Sequence, residues 1–298
     1  MEALILMPVS PFLDRLHAGK PLIIDGATGT NLQSRGLPVG SPSDLWVLDN
    51  PAEVLRLHRD FLRAGSDIIL TDTFGSSQIH LAHAGLEARF AETNRKAVAL
   101  AKEAAAEFGA LVGGSLGPLG EMLAPSGTLS EEAAEAGYAG QARILAEAGV
   151  DLLVIETQID LTEATAALRG VRSVVSLPVI VSFSYDRGTR SMMGVKPAQM
   201  AAALNEGGAV ALGINCGRSL EDNLKALNEL RAATSLPIWF KPNAGLPQVG
   251  PDGTSGYSIT PEAMSAQVPA WLAAGAALVG GCCGTSPAHL AAIAKAAR

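Results

Sequence analysis

Short apolar runs alternate along the chain with longer stretches whose apolar positions recur at helical spacing. The first four runs are LIID at Leu22–Asp25, DIILT at Asp67–Thr71, LVGGS at Leu111–Ser115 and DLLVIE at Asp151–Glu156. VIVSF at Val179–Phe183, AVALGIN at Ala209–Asn215, PIWFK at Pro237–Lys241 and ALVGG at Ala277–Gly281 follow. None alternates apolar with polar, so these eight segments predict strands buried on both faces. The helical stretches are Pro51–Ala64, Ala91–Phe108, Ser130–Ala148, Leu161–Val174, Pro197–Glu206, Leu220–Ala233, Pro261–Ala274 and Pro287–Ala297. Several start with Pro, whose missing N–H costs nothing in a first turn, and several stop at Gly, which favours a left-handed cap. Ser130 precedes two carboxylates, a helix-start pattern.

Eight such units predict one α/β domain spanning residues 1–298, a (β/α)8 barrel. A doubly wound open sheet is the alternative, because strand order is not encoded in local pattern. The phrases AGSDIIL, AGVDLLV and AGAALVG repeat at helix-to-strand junctions and favour the repetitive barrel. Gly36–Asn50 and Leu116–Thr128 read as loops following the first and third strands, on the face where barrels carry function.

Composition narrows the function classes. The net charge is 22 − 29 = −7 with no basic block, which disfavours nucleic acid or an anionic membrane as partner. No apolar run has the length of a membrane span. Three cysteines cannot all pair within one chain, so a reduced, cytoplasmic setting is expected. The N-terminal MEALILMPVSPFLDRL lacks the basic start and cleavage pattern of a signal peptide.

All three cysteines follow strand ends: Cys216 after AVALGIN, Cys282 and Cys283 after ALVGG. In a barrel these ends share one rim. Two readings remain open on residues alone. The cysteines are small buried hydrophobes, or they are three thiolate ligands for Zn2+ with one position left for chemistry. A tris-thiolate zinc carries net charge −1. It suits activation of an incoming thiol better than polarisation of a carbonyl. Asp25 and Glu156 close the first and fourth strands, where a buried carboxylate needs a cation or hydrogen-bond donors. A substrate ammonium would serve, as would a turn or an internal ion pair. The Gly26–Thr30 turn offers backbone N–H groups but matches no nucleotide-binding motif. His58 reads as a packed helix residue, and no histidine stands out as a fourth ligand.

DGATGT at Asp25–Thr30, TDTFGSS at Thr71–Ser77, GSLGPLGE at Gly114–Glu121, ET at Glu156–Thr157, GINCG at Gly213–Gly217, PNAGLP at Pro242–Pro247 and GGCCGT at Gly280–Thr285 together resemble the homocysteine S-methyltransferase family. The resemblance spans essentially the whole chain. It implies a (β/α)8 barrel holding Zn2+ on Cys216, Cys282 and Cys283, with homocysteine as methyl acceptor and methionine as product. It further implies that Asp25 and Glu156 hold the substrate amino group and that backbone N–H groups of Gly26, Ala27 and Thr28 meet its carboxylate. Asn243, between the two cysteine strands, is expected to offer its side-chain oxygen to the metal when substrate is absent.

The methyl donor divides the family. The motif phrasing resembles the branch that uses methylcobalamin, yet the chain has no DxHxxG motif, Asp14-Arg-Leu-His17 having the wrong spacing. A methylcorrinoid donor is therefore expected to arrive on a separate protein. The alternative is a small cationic donor, S-methylmethionine or a betaine, or a different thiol or selenol acceptor. A cationic donor wants an aromatic or anionic cage, and Trp46, Phe74 and Tyr257 are the candidates.

Overall fold

A computed structural model describes residues 10–250 and 255–298. The segment 1–9, on which most of the signal-peptide reading rests, lies outside the described residues. Eight parallel strands form the sheet: Leu22–Ile23, Ile68–Leu70, Leu111–Leu116, Leu152–Gln158, Val179–Phe183, Ala211–Cys216, Ile238–Pro242 and Ala276–Val279. Each sits on one of the predicted apolar runs. Every strand pairs with its sequence neighbour, and the eighth pairs with the first. The first and second strands meet through a parallel bridge at Ile24 and Ile68, with Asp25 N donating to Ile68 O at 3.0 Å. The sheet thus closes as a (β/α)8 barrel, and the doubly wound alternative falls.

The repeated helix-to-strand phrase has a physical basis. Gly65, Gly149 and Gly275 all adopt positive φ, between 93° and 105°, ending a helix by a left-handed turn. The aspartate after two of these turns then serves the neighbouring strand. Asp67 accepts from Ile23 N at 2.8 Å, and Asp151 from Val112 N at 2.7 Å.

Two apolar layers result. Leu22, Ile24, Ile68, Leu70, Leu152 and Trp239 belong to the cluster filling the barrel, while their strand neighbours pack outward under the helices. Trp239 needs room: a Cβ at Gly213 would stand 2.8 Å from its Cβ. An unpredicted helix, Pro11–His17, contributes Phe12 and Leu16 to the interior cluster.

Other elements depart from expectation. The predicted helix Pro261–Ala274 is two, Pro261–Ser265 and Val268–Ala273, because Pro269 cannot donate within a continuous helix. The predicted loop Gly36–Asn50 contains a 3-10 turn at Ser43–Leu45 and a helical turn at Trp46–Asp49. Thr28–Ser34 and Gln78–Ala82 are further short helices, and a two-stranded hairpin follows the seventh strand. No helix among the described residues is long and apolar enough to cross a membrane.

Candidate active site

At the C-terminal ends of the strands lies a cavity of about 390 Å3, walled by Cys216, Cys282, Cys283, Asp25, Glu156 and Lys241 among others. The three cysteine Sγ atoms all lie within 4.8 Å of one another, and those of Cys216 and Cys282 are 3.0 Å apart. Backbone geometry makes this convergence. Cys216 adopts φ +57°, a rare conformation for a non-glycine residue, at the last position of its strand. Vicinal side chains on a straight strand would diverge. Cys282 and Cys283 instead sit in a turn closed by Thr285 N to Cys282 O at 3.0 Å, with Gly284 at φ +81°. Only glycine fits there, since a Cβ at Gly284 would stand 2.2 Å from the Tyr257 ring.

Hydrogen bonds from Cys216 and Cys282 hold the Cys283 thiol well below its ordinary value, while the contacts with Cys282 and Cys283 push the Cys216 thiol up. Three soft donors this close fit a thiophilic dication with one coordination position left over. Asn243 stands between the cysteine strands, its N–H bonded to Cys216 O at 3.2 Å. Its Nδ2 donates to Gly217 O at 2.9 Å, while its buried Oδ1 has no partner. An unsatisfied buried oxygen at the end of the strand lying between the two cysteine strands fits a site built to hold a further group. Asn243 does not itself belong to the cavity wall.

Glu156 and Asp25 face different surroundings. Glu156 accepts from Ser115 Oγ at 2.6 Å through Oε1, and burial pushes its carboxyl up to about 7 against the pull of Lys241. Asp25 is more committed than sequence reasoning expected. Its Oδ1 meets Lys241 Nζ at 2.7 Å and its Oδ2 accepts from Leu70 N at 2.7 Å. Both partners of the ion pair are almost wholly buried. Burial opposes the Lys241 charge, but Asp25, Glu156 and Cys282 outweigh it and raise the lysine pKa.

The turn after the first strand also differs in detail. Ala27 N is already bonded to Thr285, at 3.2 Å to Oγ1. The following helix, Thr28–Ser34, has an N-terminus that no side chain caps, which leaves its first N–H groups for a carboxylate. Of the aromatic candidates only Phe74 lines the cavity, joined there by the buried carboxylate of Asp72. Trp46 packs against the outer core, and Tyr257 covers the cysteine turn. His58 is buried in its helix, and burial lowers its pKa to about 4. His83 pairs with Glu121 at 3.1 Å, and His289 bonds Ile259 O at 2.9 Å.

Sequence reasoning missed three contributors: Lys241, Ser115 and Asn215. The first had a visible signal, a lysine ending the apolar run PIWFK. Ser115 and Asn215 stand inside the GSLGPLGE and GINCG motifs, but as ordinary polar residues at strand ends they gave no sign of their own roles.

Comparison with known proteins agrees with this geometry. Residues 22–297 match the family described as homocysteine S-methyltransferase. The metallated form of the homocysteine methyltransferase MmuM from Escherichia coli superimposes with a TM-score of 0.81 at 30% identity, covering 96% of this chain and 99% of that one. Its oxidized form gives 0.80 at 31% identity, covering 94% and 98%. The methionine synthase of Mycobacterium tuberculosis (strain ATCC 25618 / H37Rv) is 29% identical over 295 residues, 92% of this chain. The chain spans only 24% of the length of that relative.

Proposed function

The chain belongs to the homocysteine S-methyltransferase family and is a methyltransferase, and from that premise we propose that it methylates the thiol of homocysteine at a zinc ion held by Cys216, Cys282 and Cys283. The observation that carries this reading is the cluster of three thiols on the wall of a cavity that also presents a buried carboxylate, Glu156. When bound, zinc supplies acidification of an incoming thiol, so that the acceptor sulfur is present as thiolate at neutral pH.

The remaining work falls to the chain. Glu156, ionised, receives the substrate ammonium through the oxygen that Ser115 leaves free. Asp25 adds its remaining lone pairs, its charge already balanced by Lys241. N–H groups of Gly26 and Thr28, with the uncapped helix that Thr28 begins, receive the carboxylate; Ala27 contributes shape, its own donor being spent on Thr285. Asn243 Oδ1, buried and without a partner, would be available to help hold the metal alongside the three cysteines when substrate is absent. The whole chain serves as one homocysteine-binding barrel, in a reducing cytoplasm that keeps the thiols available.

The donor is a methylcorrinoid carried by a separate protein. Supporting this, Val39, Phe74, Met122, Met192, Met193 and Leu246 are exposed large hydrophobics, and all six lie on loops at the cavity end of the barrel. Such an apolar rim suits a docking partner. A second reading, a self-sufficient enzyme using S-methylmethionine or a betaine, draws support from Phe74 and Asp72, which together offer a seat for a cation. Methionine formation from homocysteine by the zinc-loaded protein, with methylcobalamin and S-methylmethionine in parallel, separates the two. Turnover with neither donor would refute the proposed activity.

A further inference from the structure

The fourth and sixth strands are not neighbours in the sheet, yet one side chain joins their ends. Asn215, fully buried, uses both of its polar atoms. Its Oδ1 accepts from Thr157 N at 2.9 Å and from Ser182 Oγ at 2.6 Å. Its Nδ2 donates to Thr157 Oγ1 at 2.7 Å and to Cys216 Sγ at 3.4 Å.

The partners are unusual. The fourth strand loses register with the fifth between Ile155 and Gln158, a bulge that contains Glu156 and Thr157. Thr157 sits at φ +61°, a conformation that β-branched residues avoid. A bulge leaves a backbone group unpaired and re-aims the side chains beside it. Here the Thr157 N–H meets the Asn215 oxygen, and the re-aimed neighbour is Glu156. The other positive-φ residue outside glycine among those described is Cys216, next to Asn215 itself. Both strained positions of the site therefore lean on a single amide.

We propose that Asn215 is a positioning residue that couples the two halves of the site, holding the Thr157 bulge that aims Glu156 while donating an N–H to the Cys216 sulfur. The donated hydrogen bond withdraws charge from that sulfur and fixes its direction toward Cys282 and Cys283. Partners of metal-ligating atoms act in this way generally, and losing one costs ~10- to 100-fold in metal affinity. An isosteric carboxylate keeps the acceptor for Thr157 N and loses both N–H donors, so the two functions of the amide come apart.

This inference rests on the reading of the three cysteines as a metal site, and the test keeps the two separate. Co2+ serves as probe in full-length protein, read by its thiolate-to-metal absorption and by competition with a chelator. Asn215→Asp is expected to move the absorption to lower energy and weaken Co2+ retention by ~10- to 100-fold. Asn215→Ala, which also frees the bulge, is expected to weaken homocysteine binding further than Asn215→Asp does. Unchanged absorption and retention in Asn215→Asp would overturn the proposal while leaving the metal site standing. Wild-type protein that takes up no Co2+ would overturn both.

A measurement on unmutated protein covers the case in which the variants fail to fold. With 113Cd2+ bound and the asparagine side chains labelled with 15N, a side-chain amide proton should show scalar coupling to the metal through the sulfur. Absence of such a coupling would overturn the hydrogen bond and the inference with it.

Discussion

Replacing Lys241 by methionine tests the electrostatics of the cavity most directly. The pair it forms with Asp25 is 2.7 Å long and shielded from water on both sides. At an effective dielectric constant of about 20, two charges at that separation attract by about 6 kcal/mol, much of it offset by desolvation. Deleting one partner leaves the other charge buried with only Leu70 N for company. The usual cost of such a deletion is about 3–5 kcal/mol. A chain of 298 residues has a melting entropy of about 0.6 kcal/mol/K, from about 2.1 cal/mol/K per residue. Lys241→Met should therefore lower the calorimetric midpoint by about 5–8 °C.

Adding Asp25→Asn to Lys241→Met removes the stranded charge, while the new amide oxygen can still accept from Leu70 N. The double variant should regain about 2 kcal/mol or more. Function gives a second readout. Lys241 also pulls the Glu156 pKa down, so its loss should keep that carboxyl protonated to higher pH. Homocysteine titrated calorimetrically should then bind Lys241→Met only at pH values above those that suffice for wild type. A midpoint within about 1 °C of wild type, roughly the resolution of the assay, would refute the reasoning, as would a double variant no more stable than the single one.

Further expectations concern the site and the core. Cys216→Ala should lose bound zinc, read by elemental analysis, while Glu156→Ala keeps the metal and loses homocysteine affinity. With its pKa near 7, Glu156 is protonated below that value, so homocysteine affinity should rise between pH 6 and pH 8, roughly the span of one titration. Glu156→Gln should flatten that rise. His58 is held neutral, its pKa lowered from 6.5 to about 4, so the unfolded chain takes up its proton first. Stability should fall as pH drops through that window, by about 3 kcal/mol when complete. In urea unfolding His58→Leu should lack that component, and an unchanged pH dependence would contradict the burial argument.

The barrel was legible because its signals are local. Strands buried on both faces give unbroken apolar runs, and helices amphipathic toward one sheet give regular spacing. The left-handed glycines at 65, 149 and 275 mark the repeat. Three cysteines at strand ends were visible for the same reason, and the motifs around them identified the family. The break before Pro269 was also readable, since proline at that spacing forbids one continuous helix. The short helix at Pro11–His17 was not, because seven residues carry too little periodicity to separate from a loop.

Contacts between distant positions were decided only by the tertiary structure. Asp25 and Lys241 are 216 residues apart, and they meet because barrel closure sets the first strand against the eighth, one strand away from the seventh that carries Lys241. Asn215 and Thr157 are 58 apart, and their bond exists because a bulge shifts the fourth strand out of register. A one-residue register change reverses the direction of every side chain beyond it, and no local pattern encodes that change. The sequence by itself therefore determined which strand ends bear the candidate cysteines and carboxylates. Closure and register decided which of them face one another, and so which charges are balanced and which remain free for a substrate.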